Sequence, residues 1–143
     1  MNSENSKRNA GFKAETQAEN RINKRKIGSE YETVAVDYLN NNGYEIIEQN
    51  YRCKIGEIDI IARDKNEENM LVFVEVKYRS TKKYGSALEA VDARKQKKIM
   101  AVSWYYIKEK KISQEMTFRY DVVGIEGIDD RKIRLIKNAF GSM

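Results

Sequence analysis

The chain predicts an α/β domain with a mixed central sheet flanked by helices, and three features carry that prediction. An amphipathic helical stripe opens the ordered part, three short extended segments follow in succession, and a second long amphipathic stretch precedes two closing extended segments. The resulting order is αβββαβ(β). Tyr31, Val34, Ala35, Tyr38 and Leu39 fit the i, i+3, i+4, i+7, i+8 template, and Asn40-Asn41-Asn42-Gly43 ends that helix. Extended segments at about Tyr44 to Arg52, Glu57 to Ala62 and Leu71 to Tyr78 read as a β-meander, separated by the Lys54-Ile55-Gly56 turn and a polar loop from Arg63 to Asn69. Ser86-Ala87-Leu88-Glu89 forms a capping box and predicts a second helix running through Leu88, Val91, Ile99 and Val102 towards Tyr106. Thr117 to Val123 and Lys132 to Ile136 predict the last two strands, with Gly124 to Asp130 as their turn.

At 143 residues, 34% charged and 41% hydrophobic, the chain suffices for one core. Residues 1–26 are polar and basic, with seven Lys/Arg against three Asp/Glu, and read as a flexible basic arm; residues 27–143 read as a single domain. The longest unbroken apolar run is Met70-Leu71-Val72-Phe73-Val74, too short to span a membrane, and no secretory h-region is readable. A single cysteine, Cys53, points to a reducing cytoplasm and has no partner that would activate it. Histidine is absent, which excludes His-based acid/base catalysis, Ser-His-Asp and Cys-His triads, and imidazole zinc sites. Any chemistry must come from carboxylates, lysines, hydroxyls or an oxygen-bound metal. Between Lys77 and Lys98, eight basic residues face only two acidic ones, a concentration suited to phosphate or simply to a solvated face.

Alternation places Glu57, Asp59 and Ile61 on one face of their strand, opposite Ile58 and Ile60, and Phe73, Glu75 and Lys77 on one face of the next. If the strands pair, Asp59, Glu75 and Lys77 converge. Glu75 follows the most apolar strand in the chain, where an uncompensated carboxylate costs several kcal/mol or keeps its proton. Lys77 is one counterion available to it, and a Mg²⁺ or Mn²⁺ ion shared with Asp59 is another. A cross-strand salt bridge of Lys77 with either acid is the plain structural alternative.

Gly56-Glu57-Ile58-Asp59-Ile60-Ile61-Ala62-Arg63, Phe73-Val74-Glu75-Val76-Lys77-Tyr78-Arg79, then Gly85, Ala87, Val91 and Lys95, and finally Arg119-Tyr120-Asp121-Val122-Val123 with Asn138-Ala139-Phe140 closely resemble the bacterial YraN-like family. The resemblance runs from about Gly28 to Phe140. That family is placed in the PD-(D/E)XK nuclease superfamily and is most similar to its Holliday-junction resolvase branch, which implies a restriction endonuclease-like core. It also implies that Asp59 and Glu75 bind metal and that Lys77 orients or activates the attacking water. Ile58 stands where the superfamily name has proline. Glu32 matches the superfamily's helix Glu, a third metal ligand, although Ser29-Glu30-Tyr31-Glu32 is itself a capping box. Tyr31 stands where the family more often has glycine. Gln96 matches a supporting Gln on the second helix.

The function implied is Mg²⁺- or Mn²⁺-dependent hydrolysis of phosphodiester bonds in nucleic acid, DNA foremost, with branched or single-stranded substrates favoured. Lys82, Lys83, Arg94, Lys95, Lys97 and Lys98 are expected to contact backbone phosphates, with an affinity that falls steeply with salt. Two symmetric cuts in a four-way junction would require a homodimer, because one domain supplies one site. A nucleic-acid-binding or protein-interaction module on the same fold is the non-catalytic alternative. Asp121 is expected to pair with Arg119, and Trp104-Tyr105-Tyr106 to belong to the core.

Overall fold

The computed structural model describes residues 28–79, 91–113, 115–127 and 132–141. The chain divides into two compact units, Met1–Tyr31 and Glu32–Met143. Of the first, only residues 28–31, the opening turn of helix α1 (residues 28–41), are described. The basic arm at residues 1–26 therefore lies outside the described residues.

The second unit holds strands β1 (Tyr44–Arg52), β2 (Glu57–Asp64) and β3 (Met70–Arg79), helix α2 (Ala93–Glu109), and strands β4 (Phe118–Glu126) and β5 (Lys132–Phe140). A short 3₁₀ turn, Lys65–Glu67, links β2 to β3. The five strands form one sheet in sequential order. β1–β2, β2–β3 and β4–β5 pair antiparallel, whereas β3 and β4 run parallel from Leu71↔Phe118 to Arg79↔Glu126. Parallel neighbours need a crossover; α2 lies in that connection. The α/β architecture is thus the one the element order predicts.

One face of the sheet carries Ile61, Phe73, Tyr120 and Val122, packed with Ile99, Val102, Tyr106 and Ile107 of α2. Tyr106 is wedged edge-on against Tyr51 at 5.0 Å and Phe73 at 5.8 Å between centroids. Ala35 and Leu39 of α1, both fully buried, stand outside this cluster.

Several details differ from the sequence reading, among them β5, which runs on past Ile136 to Phe140. α2 begins at Ala93, not at Ser86: Val91 and Asp92 are not helical, and the extended Asp92 is the N-cap, its side chain accepting from Lys95 N at 2.8 Å. The Ser86-Ala87-Leu88-Glu89 capping box lies outside the described residues. Strand β4 continues through Gly124 to Glu126 because β5 supplies partners that far, Gly124↔Arg134 and Glu126↔Lys132. Ile58 joins the same core as Ile61 instead of facing away. Asn50, in the left-handed region (φ 54°), stands across from this stretch between the pairs Gln49↔Ile60 and Tyr51↔Ile58. Trp104 and Tyr105 are each 44% exposed and only Tyr106 is core, since three consecutive helical residues span too wide an arc to share one buried stripe.

Candidate active site

The β2–β3 ladder runs from Asp64↔Met70 to Ile60↔Val74 and stops there. The next residues on the two strands are Asp59 and Glu75. In place of a backbone partner, Val76 N–H is taken by Asp59 Oδ2 at 2.9 Å, so the aspartate side chain seals the point where the two strands part. β3 continues beyond it on β4 alone, with Glu75 beside Val122 and Lys77 beside Gly124. The pleat that buries Phe73 under α2 therefore carries Glu75 and then Lys77 along the same face towards the N-terminal end of that helix.

Glu75 is 5% exposed, and it is held poorly for an ion. Lys77 Nζ lies 3.7 Å and Lys95 Nζ 3.9 Å from its Oε1, both beyond a good hydrogen bond. Burial, followed by the neighbouring charge of Asp59, pushes the Glu75 carboxyl up to about 7. Asp59 is also raised, chiefly by burial and against the Val76 N–H bond that favours its anion. Each carboxyl thus disfavours the charge of the other, and Glu75, the more buried, is pushed up the further. Two adjacent acids whose charged forms burial disfavours are a donor set for a hard cation, which would neutralise both at once. The residues present fit a divalent ion.

The other sequence candidates are placed less centrally. Glu32 Oε2 accepts from Asn50 Nδ2 at 3.2 Å, and among the described residues no group of three or more acids, cysteines or histidines is assembled to hold a metal. Asn50 stands between the β1 residues paired with Ile60 and Ile58, across from Asp59, so Glu32 reaches this stretch through that amide. Gln96 Nε2 donates to Val91 O at 2.8 Å, which ties the first turn of α2 to the chain before it. Arg94, Lys97 and Lys98 are exposed on the first turns of that helix. Lys98 lays its stem over Gly56: a Cβ there would lie 3.1 Å from Lys98 Cε. Lys82 and Lys83 lie outside the described residues.

Sequence reasoning missed two things. Lys95, taken only as a phosphate contact, is a second cation on Glu75. Asp121 and Arg119 pair as expected, at 2.7 Å, but inside a larger buried network. Arg119 Nη2 donates to Asp64 Oδ2 at 2.8 Å, to Asp121 Oδ2 at 2.7 Å and to Tyr44 Oη at 3.0 Å, and Tyr44 donates on to Asp121 Oδ2 at 2.8 Å. The available signal was Asp64, an acid two residues beyond the apolar run Ile60-Ile61-Ala62.

The model of the family described as Uncharacterised protein family UPF0102 matches residues 31–125, a span that contains Asp59, Glu75, Lys77 and Lys95. A UPF0102 protein of Clostridium botulinum (strain Hall) is 50% identical over 117 residues, covering 80% of this chain and 93% of its own. One from Lachnoclostridium phytofermentans is 44% identical over 119 residues, covering 83% and 96%. With both the family span and nearly the full length of such relatives matched, the chain belongs to the UPF0102 family.

Proposed function

We propose that the protein is a metal-dependent endonuclease that hydrolyses phosphodiester bonds in DNA, with Asp59 and Glu75 as metal ligands and Lys77 at the attacking water. The observation that carries this reading is the placement of Asp59 and buried Glu75 side by side where the β2–β3 ladder ends, with Asp59 fixed on Val76 N–H. An acid pair inside a sheet whose lysines stand 3.7 and 3.9 Å from Glu75 is a poor structural device and a good cation site. The resemblance of Asp59 and Glu75-Val76-Lys77 to the PD-(D/E)XK pattern supports the same assignment.

Bound there, a Mg²⁺ or Mn²⁺ ion would supply charge neutralisation for the phosphoryl oxygens as the bond to the leaving oxygen lengthens. Asp59, fixed by Val76 N–H, provides a rigid ligand, while Glu75 gives up its proton to act as the second. Lys77, 30% exposed at the side-chain level and on the same strand face as Glu75, holds the attacking water by hydrogen bonding and keeps it in line. No imidazole is needed. Arg94, Lys97 and Lys98, exposed beside the site, offer their charges to flanking phosphates without reading bases. Shape-selective recognition of branched or single-stranded DNA accords with so small a reading surface.

The test is a panel of labelled linear, flapped, four-way and single-stranded substrates, DNA and RNA, with Mg²⁺ or Mn²⁺. Nicking is expected to favour branched or single-stranded DNA over linear duplex. Glu75→Ala and Lys77→Ala are each expected to lose at least about 100-fold while staying folded. Binding without cleavage of any substrate, or cleavage that persists in Glu75→Ala, would leave the binding module as the function.

A further inference from the structure

Lys95 sits where helix physics disfavours it. α2 has no acidic residue in its first turn, and instead Arg94 and Lys95 stand at the end where the macrodipole repels cations. Lys95 is the third residue of the helix, its own N–H bonded to the Asp92 cap. That bond fixes the backbone from which its side chain reaches Glu75 Oε1 at 3.9 Å. Lys98, one turn on, is committed to the Gly56 turn instead. Two lysines thus bracket one carboxylate, Lys77 from β3 itself and Lys95 from α2, and only the first belongs to the Glu-x-Lys pattern of the strand.

We infer that Lys95 is an ammonium placeholder for the metal: in the metal-free protein it offsets only part of the Glu75 charge, across 3.9 Å, and a divalent ion at Asp59 and Glu75 would displace it, freeing the ammonium for a substrate phosphate. This rests on the metal-site reading above and adds to it a positioning residue. The cause is electrostatic. An ammonium close to a carboxylate occupies the anion that a dication needs, and once the dication is bound the two cations repel. Metal entry therefore expels Lys95 from Glu75 without moving the helix, because a lysine has four rotatable bonds and one third of this side chain is already in solvent. The released charge stays beside the site, where a bound phosphate replaces Glu75 as its partner.

A placeholder and a merely structural lysine differ in sign. Removing a structural contact would weaken both the fold and the metal site, whereas removing a placeholder weakens the metal-free fold and strengthens metal binding. Calorimetric titration of the full chain with Mn²⁺ at about pH 8.5, above the range in which Glu75 titrates, separates them. Lys95→Ala and Lys95→Gln are expected to bind Mn²⁺ about three- to tenfold more tightly than the parent chain, while their melting temperature in chelator falls by about 2–4 °C. Lys95→Arg restores both values. Lys108→Ala, a charge-matched control about 20 Å along the same helix, leaves metal affinity unchanged. Equal or weaker Mn²⁺ binding by Lys95→Ala and Lys95→Gln, with the parent chain still binding, would overturn the placeholder and leave the nuclease reading standing. A parent chain that binds no Mn²⁺ would overturn both.

Discussion

β2 carries an aspartate near each end, and the two are held in opposite ways. Asp64, fully buried, receives Arg119 Nη2 at 2.8 Å, Lys137 Nζ at 3.3 Å and Asn66 N–H at 3.0 Å. Burial alone would raise its carboxyl, but these bonds, Arg119 foremost, hold it below the usual carboxylate range. With Asp121, it makes two acids against two cations, and every contact to Arg119 is of hydrogen-bond length. Asp59, five residues earlier, also shares its surroundings with a second acid and two lysines, yet neither lysine comes within 3.7 Å of Glu75 and the acids are raised instead. Equal formal charge gives a closed network in one place and an open one in the other. The difference lies in geometry: a guanidinium fork satisfies two carboxylates at once, while two ammonium groups at arm's length do not. The closed cluster is a fastening of β1, β2, β4 and β5, and the open one is the proposed metal site.

The largest effect that would break this comparison is at Arg119. Arg119→Ala leaves Asp64 and Asp121 buried without their shared cation and is expected to cost about 3–5 kcal/mol, read as a lowered urea midpoint. A loss below about 1 kcal/mol would mean that the closed cluster fastens nothing.

The next is pH dependence, where the two clusters have opposite signs. Glu75, raised from its ordinary 4.5 to about 7, contributes stability that is fully present below the unfolded value and is lost as pH rises through 7. Asp64, lowered, contributes stability that is present above the ordinary carboxylate range and is lost as pH falls through its folded value. In chelator, Glu75→Gln should therefore gain on the parent chain between about pH 4.5 and pH 7, by on the order of 2–3 kcal/mol, and run parallel to it above that range. Urea midpoints of the two chains across that interval check this. The smallest effect sharpens the comparison from the other side: Lys137 is 42% exposed, so screening leaves its pair with Asp64 worth at most about 1 kcal/mol, and Lys137→Ala should shift the midpoint only slightly.

Much of the open cluster is legible in the sequence. Strand alternation brings Asp59, Glu75 and Lys77 to one patch, and Glu75 stands out because the four residues before it are apolar. What alternation does not encode is where a ladder stops. The parting of the strands after Ile60↔Val74 depends on a side chain taking a backbone hydrogen bond, and beyond that point Ile58 joins the core that alternation assigns to Ile61. Lys95 is out of reach for a related reason: its contact with Glu75 depends on how α2 docks on the sheet and on Asp92 rather than Ser86 capping it. Arg119 and Asp121 are two apart on one strand and so are pairable by spacing, whereas Tyr44, 75 residues from Arg119, and Asp64, 55 residues from it, are joined only by the fold.

Whether the open cluster takes a cation decides the most. Mn²⁺ titrated calorimetrically into the chelator-stripped chain at about pH 8, with Glu75→Gln and Asp59→Asn measured alongside, addresses that alone, independent of any substrate. The parent chain is expected to bind with heat that both variants lose and to gain melting temperature as it does so. Absence of binding to the parent chain, or equal binding by Glu75→Gln, would contradict the assignment of Asp59 and Glu75 as a metal site.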